Sequence, residues 1–256
     1  MYQIDAFATK VFEGNPAAVI PLEAWLSDDL MQCIAQENNL SETAFFVQDG
    51  SSYHLRWFTP TQEVEMCGHA TLASAFVLFE CLGYAHENIT FLTQSGALKV
   101  WREGEHFSMD FPVQPLEPCD MVNEIEAAFG MRPKAIFAAM DYIVVFEDEV
   151  QVQRADPDLM RLKELPLRGV CITAASEAYD FVTRFFAPKY GIDEDSVTGS
   201  AFTQLVSYWV DVLGNNTLVA KQISPRGGEV MCTVRGDRVT LRGSAVKYLV
   251  GTVEVG

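Results

Sequence analysis

Short stretches in which apolar and polar positions alternate make up most of this chain. In one of them Tyr53, Leu55 and Trp57 alternate with His54 and Arg56, which is the period of a strand with one buried face. Further stretches of β-rich composition are 43–47, 98–101, 107–111, 142–146, 170–173, 181–186, 230–234, 239–241 and 245–253. The pattern therefore predicts a protein built mainly from short strands.

Three short helices are predicted from capping residues and apolar spacing. Ser27 is positioned to cap a helix that runs to about Asn38, and residues 121–129 form the second. Asp156 followed by Pro157 places a capping acid and a first-turn proline before the third.

Two further helices are apolar on every side. One begins at His69 and ends near Leu82, and the other begins at Ser200 and ends near Leu213. A helix with almost no polar face is enclosed by other elements. Because short strands surround each helix in the sequence, we predict a curved sheet or barrel wrapped around a central helix in each half of the chain.

The starts of these two helices belong to a repeated phrase. An Arg-Trp-Phe-Thr-Pro motif at 56–60 precedes a Gly-His-Ala turn at 68–70, and Arg-Phe-Phe-Ala-Pro at 184–188 precedes Gly-Ser-Ala at 199–201, half a chain length further on. Related halves would bring these helix starts to their mutual boundary, where unpaired N–H groups and the helix dipole attract anions. The repeat predicts a site for a small carboxylate. For either turn alone, an ordinary helix start remains an adequate explanation.

The same repeat sets the predicted domain boundary. We predict an N-terminal half over 1–113 and a C-terminal half over 114–256. The segment 112–118, which holds three prolines, is the predicted linker, and the last strand is free to return to the first half.

Two acidic residues are candidates for the chemistry. Glu42 opens an apolar strand, where propensity gives no reason for an acid. A partly buried carboxylate there suits proton transfer, although a capping or solvent-facing role also fits. Asp195 could hold His69 in one tautomer, accept a substrate hydroxyl or amine, or only cap a loop. Ser200 is not a predicted nucleophile, because the Gly-x-Ser-x-Gly elbow is missing.

The charge balance narrows the range of partners. Lys and Arg total 18 against 35 Asp and Glu, which gives a net charge of -17 and a pI of about 4.5. Phosphate contacts require clustered basic residues, so we predict no nucleic-acid partner. An acidic, solubilising surface accounts for the charge, and a small anionic substrate remains compatible with it because local residues decide its binding.

Cysteine, histidine and glycine patterns give no sign of a metal or cofactor. The six cysteines contain no Cys-x-x-Cys pair and the four histidines no i, i+4 pair, so no metal site is predicted. Neither a Walker motif nor Gly-x-Gly-x-x-Gly occurs, so we predict no cofactor. Without a secretory signal or a membrane-spanning run, the expected location is cytoplasmic, with reduced thiols and no membrane partner.

Several phrases, in order along the chain, carry a resemblance to a known family. They are 12–19, 39–45, 56–60 with 63–64, 67–71, Asp195 with 198–201, and 243–246. The chain resembles the phenazine-biosynthesis PhzF-like family, relatives of diaminopimelate epimerase. The resemblance implies an α+β, diaminopimelate epimerase-like fold with two pseudo-symmetric barrel-like β domains, each wrapped around a central helix. It also implies an active site in the cleft between them and a homodimer.

The resemblance also implies an activity. In the family's characterised isomerase a glutamate moves a proton between carbons of a dihydro-hydroxyanthranilate, without metal or organic cofactor. Carried over by motif, that glutamate is Glu42, and His69, Asp195 and Ser200 are the catalytic residues beside it. The expected substrate-binding residues are Gly68, Ala70, Gly199, Ala201, Asn15 and Thr198. The expected function is a cofactor-independent isomerase that shifts a proton on a small carboxylate-bearing metabolite by general acid–base catalysis.

Cys67 bears on whether the protein is such an isomerase or a cysteine-dependent epimerase. Related epimerases use two opposed cysteines, one at each helix start, whereas here Cys67 holds the first place and Thr198 the second. A threonine hydroxyl is too weak an acid or base to replace a thiol near neutral pH, so shuttling by Glu42 alone is favoured and Cys67 is expected to pack as a small buried residue. The alternatives are a cysteine-assisted racemase or epimerase of an amino-acid-like substrate, and a non-catalytic small-molecule-binding protein.

Overall fold

The computed structural model describes residues 1–255, which divide into two compact units. Unit 1 comprises Met1–Asp110 together with the stretch from Arg242 onward, and unit 2 comprises Phe111–Leu241. The chain therefore completes unit 1 only after it has built unit 2. No helix within the described residues is long and apolar enough to cross a membrane.

Unit 1 is a sheet with two helices. Its elements are β1 Tyr2–Ala6, β2 Asn15–Leu22, α1 Asp28–Asn38, β3 Glu42–Asp49, β4 Ser52–Phe58, β5 Glu63–Val64, α2 Gly68–Phe76, β6 Asn88–Thr93, β7 Gly96–Glu103 and β8 His106–Pro112, the last of which crosses into unit 2. The final strand of the chain, Ala245–Val250, pairs antiparallel with β1. The pairing β1–β2 is antiparallel, β2–β3 parallel, β3–β4 antiparallel, β4–β6 parallel and β6–β7–β8 antiparallel.

Unit 2 repeats this strand order. Its elements are β9 Glu117–Pro118, α3 Val122–Phe129, β10 Ala135–Ala138, β11 Tyr142–Val145, α4 Glu149–Arg154, α5 Leu159–Glu164, β12 Val170–Ala175, β13 Phe181–Ala187, β14 Ile192–Asp195, α6 Gly199–Leu213, β15 Thr217–Gln222, β16 Gly228–Arg235 and β17 Arg238–Gly243, with β18 Ala245–Val250 following in unit 1. The pairing β10–β11 is antiparallel, β11–β12 parallel, β12–β13 antiparallel, β13–β15 parallel and β15–β16 antiparallel. The repeated phrase in the sequence thus corresponds to a repeated topology.

Each unit packs its sheet against an apolar helix, as predicted. In unit 1, α2 packs on β1, β2, β3 and β18, and every residue from Gly68 to Ala75 is buried. In unit 2, α6 packs on β15 and β16. The last turn of α6 departs from the prediction of complete enclosure, since Val212 and Leu213 are 53% and 40% exposed.

The helix of unit 1 also ends differently from the prediction. The α-helical hydrogen bonding stops at Phe76, and Val77–Cys81 continues as a π-helix in which the Leu82 N–H donates to Val77 O at 3.0 Å. The apolar run does reach Leu82, but its hydrogen-bond spacing widens in the last turn, which apolar periodicity does not reveal.

One predicted helix start is wrong by two residues. The structure begins α5 at Leu159, and its cap is Asp158 rather than Asp156. The Asp158 carboxylate accepts from the N–H groups of Met160 and Arg161 at 3.0 and 3.3 Å. Helix α1 has the predicted extent, and the Ser27 hydroxyl accepts from the Leu30 N–H as its cap. Helix α3 ends at Phe129 as predicted but begins one residue later, at Val122.

The two repeated arginines tie down the chain that leads into each central helix. Arg56 forms a two-pronged ion pair with Glu63, with distances of 2.7 and 2.8 Å, and so joins β4 to β5. Arg184 pairs with Glu194 in the same way at 2.7 and 2.9 Å, and joins β13 to β14. A two-pronged ion pair of this kind requires a specific geometry. Because each pair joins the two strands that precede a central helix, the repeated arginines help to position both helix starts.

Candidate active site

The α2 start brings Glu42 and His69 together. His69 follows the first residue of α2, and its side chain is 5% exposed; the Glu42 side chain is 13% exposed. Glu42 Oε2 lies 3.1 Å from His69 Nε2. Within residues 1–255, however, neither of these buried atoms has a hydrogen-bond partner of acceptable geometry. The two groups are close but misaligned, so both remain available to a third group.

Local backbone structure places Glu42 at this position. Helix α1 ends at Asn38, and its C-cap residue Asn39 adopts a left-handed conformation with φ 48° that turns the chain toward β3. The Asn38 side chain donates to Thr43 Oγ1 at 3.1 Å, and Glu42 itself pairs with Ala17 in the parallel β2–β3 ladder. Sheet register therefore directs the carboxylate inward rather than into solvent.

The other side of the His69 ring faces Asn15 and Cys67. His69 Nδ1 lies 3.3 Å from Asn15 Nδ2 and 3.5 Å from Cys67 Sγ, while the Ser41 hydroxyl donates to Asn15 Oδ1 at 3.3 Å. The neutral ring accepts from Asn15 at Nδ1, so its proton is on Nε2. When Nδ1 is protonated, the Cys67 sulfur can accept from it. Nε2, the ring nitrogen nearer to Glu42, therefore carries a proton in both states.

Burial and nearby negative charge shift the pKa of His69 in opposite directions. Burial alone lowers the pKa of His69, but the neighbouring negative charge outweighs burial and the pKa is raised well above its ordinary value. We attribute this to the Glu42 carboxylate, because burial raises the pKa of the Cys67 thiol to about 11. Near neutral pH the thiol is therefore neutral and a poor base or nucleophile.

The same three side chains form the one cluster in the described part of the chain that could hold a metal ion. Glu42, Cys67 and His69 offer an oxygen, a sulfur and a nitrogen that all lie within 4.8 Å of one another, a donor set that zinc accepts. Sequence spacing did not reveal this cluster, because Glu42 comes from a different element than the Cys-Gly-His turn.

The α6 start in unit 2 is held by a compact network. The Thr198 hydroxyl donates to Asp195 Oδ2 at 2.6 Å, and Asp195 is 8% exposed. Gln222 accepts from the Thr198 N–H at 2.8 Å and donates to the Asp195 carbonyl at 2.7 Å. The structure thus brings Asp195 and Thr198 together at the turn that begins α6. The predicted action of Asp195 on His69 stays a prediction.

The amide donors at the two helix starts are fewer than predicted. The Ala201 N–H donates to Thr198 O at 3.0 Å, and the Ala70 N–H is directed at the Cys67 sulfur. Both amides are occupied within the first helical turn, which argues against Ala70 and Ala201 as backbone donors to a substrate. The preceding N–H groups, those of 68–69 and 199–200, have no intrahelical partner.

Sequence reasoning missed three residues beside Ser200. Arg168 donates to both carboxylate oxygens of Asp141, at 2.8 and 2.6 Å, and to Ser200 Oγ at 2.9 Å. Gln204 donates to Asp141 Oδ2 at 2.7 Å. One signal could have found Arg168: it is a charged residue two positions before the apolar strand β12, much as Glu42 is a charged residue at the start of β3.

The two units carry different groups at equivalent positions. Counted from the repeated arginine, β3 pairs with β4 in the same register in which β12 pairs with β13. On this register Glu42 corresponds to Gly169, and Ser41 corresponds to Arg168. Unit 1 therefore presents a carboxylate at this position, whereas unit 2 has no side chain there and presents a guanidinium from the preceding position.

Comparison with known proteins agrees with this architecture. The family described as phenazine biosynthesis-like protein, PhzC-PhzF, matches residues 4–251. A Pseudomonas aeruginosa protein named as an uncharacterized isomerase is 49% identical over 255 residues, which cover 100% of this chain and 98% of the relative.

Solved structures share the fold. A phenazine biosynthesis protein of the PhzF family from Enterococcus faecalis has a TM-score of 0.95 and 48% identity, covering 97% of this chain and 96% of that chain. A hydroxyproline epimerase from Agrobacterium vitis, with 11% identity, a TM-score of 0.62 and coverage of 96% and 90%, shares the fold alone. The expected epimerase-like fold is confirmed, and the chain belongs to the PhzF-type phenazine biosynthesis-like family.

Proposed function

We propose that this protein is a cofactor-independent isomerase that moves a proton between carbons of a small carboxylate-bearing metabolite. Relatives named as isomerases support the reaction class. The observation that carries the mechanism is the buried pair of Glu42 Oε2 and His69 Nε2, 3.1 Å apart and without aligned partners. Both groups can contact one reacting molecule.

Glu42 acts as the base and then as the acid in this proposal. Its carboxylate removes a proton from a carbon next to an unsaturated system, and the C–H electrons delocalise into that system. The protonated Glu42, whose O–H proton exchanges with solvent, then delivers a proton to another carbon, so the composition of the substrate is unchanged and no electrons are transferred. A positioned acid–base group of this kind contributes about 10²–10⁴-fold to the rate.

His69 supports the transfer electrostatically. Its Nε2 carries a proton in both protonation states and, because it is not aligned with Glu42, can donate to negative charge that develops on the substrate. Because the site is buried, such a preoriented donor acts more strongly than it would in water. Asn15 fixes the ring from its other side, as its 3.3 Å contact with Nδ1 indicates.

Unit 2 supports a single-base mechanism. The position equivalent to Glu42 is Gly169, where an added Cβ would lie 2.8 Å from the carbonyl oxygen of Phe186 and 2.7 Å from the Phe185 ring. The position equivalent to Cys67 is Thr198, whose hydroxyl is already committed to Asp195. Unit 2 thus supplies neither a second carboxylate nor a second thiol at these positions. Within unit 2, Asp195 is proposed to accept from a hydroxyl or amine, and Ser200 to donate to an anionic group.

Isotope exchange with a matched pair of variants tests this function. A dihydro-hydroxyanthranilate is incubated with the protein in D₂O, and deuterium incorporation into product is followed by NMR. Glu42→Gln should abolish incorporation and product formation while still binding the compound. Glu37→Gln, which changes an exposed glutamate on α1, should behave like the unaltered protein. Full turnover by Glu42→Gln would rule out Glu42 as the base.

A further inference from the structure

Arg168 is fixed in place more firmly than an ordinary surface arginine. Its guanidinium spans both oxygens of Asp141, which is fully buried. Asp141 is held in turn by Gln204, whose amide donates to its carboxylate at 2.7 Å and accepts from its N–H at 3.0 Å. The Arg168 carbon Cζ also lies 5.3 Å from the centre of the Phe185 ring. Paired forks and ring stacking leave the guanidinium little freedom.

The contact between Arg168 and Ser200 has a fixed direction. A guanidinium can only donate hydrogen bonds, so at 2.9 Å the Ser200 Oγ must accept. The serine proton is therefore directed elsewhere. Within residues 1–255, Arg168 is the one partner found for Ser200 Oγ, and Thr203 and Gln204 bond to the serine carbonyl instead.

We propose that Arg168 is a positioning residue that fixes the Ser200 hydroxyl as a hydrogen-bond donor, so that the α6 start selects a carboxylate group of the substrate. A free serine hydroxyl serves equally as donor or acceptor. With Arg168 on its oxygen, the hydroxyl joins the unpaired N–H groups of 199–200 as a third donor, and the corner matches an anion rather than an amide. This inference rests on the proposed function for the presence of a carboxylate substrate.

The charge on Arg168 does not by itself explain anion binding. Its positive charge is neutralised by Asp141 at 2.6 Å, and the Arg168 side chain is 31% exposed. The pair therefore contributes little net field, and its effect passes mainly through the polarised Ser200 hydroxyl. A hydroxyl that accepts from a cation is a stronger donor in turn, because hydrogen bonds in a chain reinforce one another.

A binding comparison between two matched probes tests the proposal without turnover. Anthranilate and anthranilamide share an aromatic amine and differ in carboxylate against amide. We expect the unaltered protein to bind anthranilate more tightly, and Ser200→Ala to weaken anthranilate binding roughly tenfold, as for loss of one hydrogen bond to a charged group, with anthranilamide unchanged. Arg168→Met combined with Asp141→Asn avoids leaving a buried charge unpaired and should cause the same loss.

A variant that combines these substitutions decides whether Arg168 acts through Ser200. If Arg168 acts through Ser200, the triple variant of Arg168→Met, Asp141→Asn and Ser200→Ala should bind anthranilate no more weakly than Ser200→Ala alone. Arg132→Met with Glu126→Gln, which removes an exposed ion pair between α3 and the loop that follows it, should leave both probes unaffected. The proposal is overturned if the triple variant loses anthranilate affinity by the product of the two separate losses. It is also overturned if the Arg168→Met, Asp141→Asn variant keeps its anthranilate affinity, or if the unaltered protein shows no preference for the carboxylate. The proposed function fails separately, through turnover by Glu42→Gln.

Discussion

Gly169 holds the same sheet position in unit 2 that Glu42 holds in unit 1. The two positions precede equivalent pairs in the β3–β4 and β12–β13 ladders. One carries the proposed base and the other carries no side chain. The two units therefore share the backbone arrangement at these positions but differ in side chain. A symmetric mechanism with two bases cannot use these positions.

Space, rather than backbone conformation, requires glycine at 169. A Cβ there would lie 2.8 Å from the Phe186 carbonyl oxygen and 2.7 Å from the Phe185 ring. We expect Gly169→Ala to lower the free energy of unfolding by about 1–3 kcal/mol through overpacking. Gly251→Ala, where the added atom would meet only a Leu249 methyl group at 3.7 Å, should stay within about 0.5 kcal/mol. Urea unfolding of both variants measures the difference, and equal stability would contradict the steric explanation.

The sequence carried enough information to predict the repeat, the two helix starts and the partly buried position of Glu42 at the start of a strand. These features are local: a motif, an apolar run and an acid in an apolar strand. Strand β2 was missed because it pairs in parallel with β3 and is largely buried, so its residues 15–22 form an apolar run without alternation. The alternation rule detects half-buried strands and overlooks such a strand.

The Arg168 network could not be predicted because it depends on tertiary contacts. Asp141 lies 27 residues before Arg168, and Gln204 lies 63 residues beyond Asp141. No spacing rule relates a loop acid, a residue before a strand and a helix residue. Only the folded sheet brings them to one side of the α6 start.

Asp156 and Asp158 give a second example of a feature that a tertiary contact decides. Both acids precede the same apolar turn, but the Asp158 N–H donates to the Ala128 carbonyl at 2.8 Å, so the contact with α3 selects which acid caps α5. We expect Asp158→Ala to destabilise the protein by about 1 kcal/mol, as for loss of a helix cap. Asp156→Ala should cost clearly less. Thermal or urea unfolding of this pair of variants checks the assignment, and the reverse order of stabilities would contradict it.

Cys67 should be dispensable for the proposed proton shift. Burial raises the pKa of its thiol to about 11, so near neutral pH it is neither a thiolate base nor a reactive nucleophile. We expect Cys67→Ala to retain deuterium exchange, and iodoacetamide at neutral pH to label the exposed Cys33 well before Cys67, as peptide mass spectrometry would show. Loss of exchange at a stereocentre in Cys67→Ala would instead support the cysteine-assisted epimerase.

His69 should make the stability of the protein depend on pH. Burial opposes its charged form, but the Glu42 carboxylate prevails and raises the folded-state pKa of His69, so the native state binds the proton more tightly than the unfolded chain. The resulting stabilisation is fully present below the unfolded pKa of about 6.5 and is lost as pH rises through the folded pKa. The stability difference between the unaltered protein and His69→Gln should therefore shrink as pH is raised. Urea unfolding from about pH 5.5 to about pH 7.5, below the unfolded-thiol pKa of about 8.5, measures it. His54→Gln, a change at an exposed histidine, is the control, and a difference that grows with pH would contradict the charge pairing of His69 with Glu42.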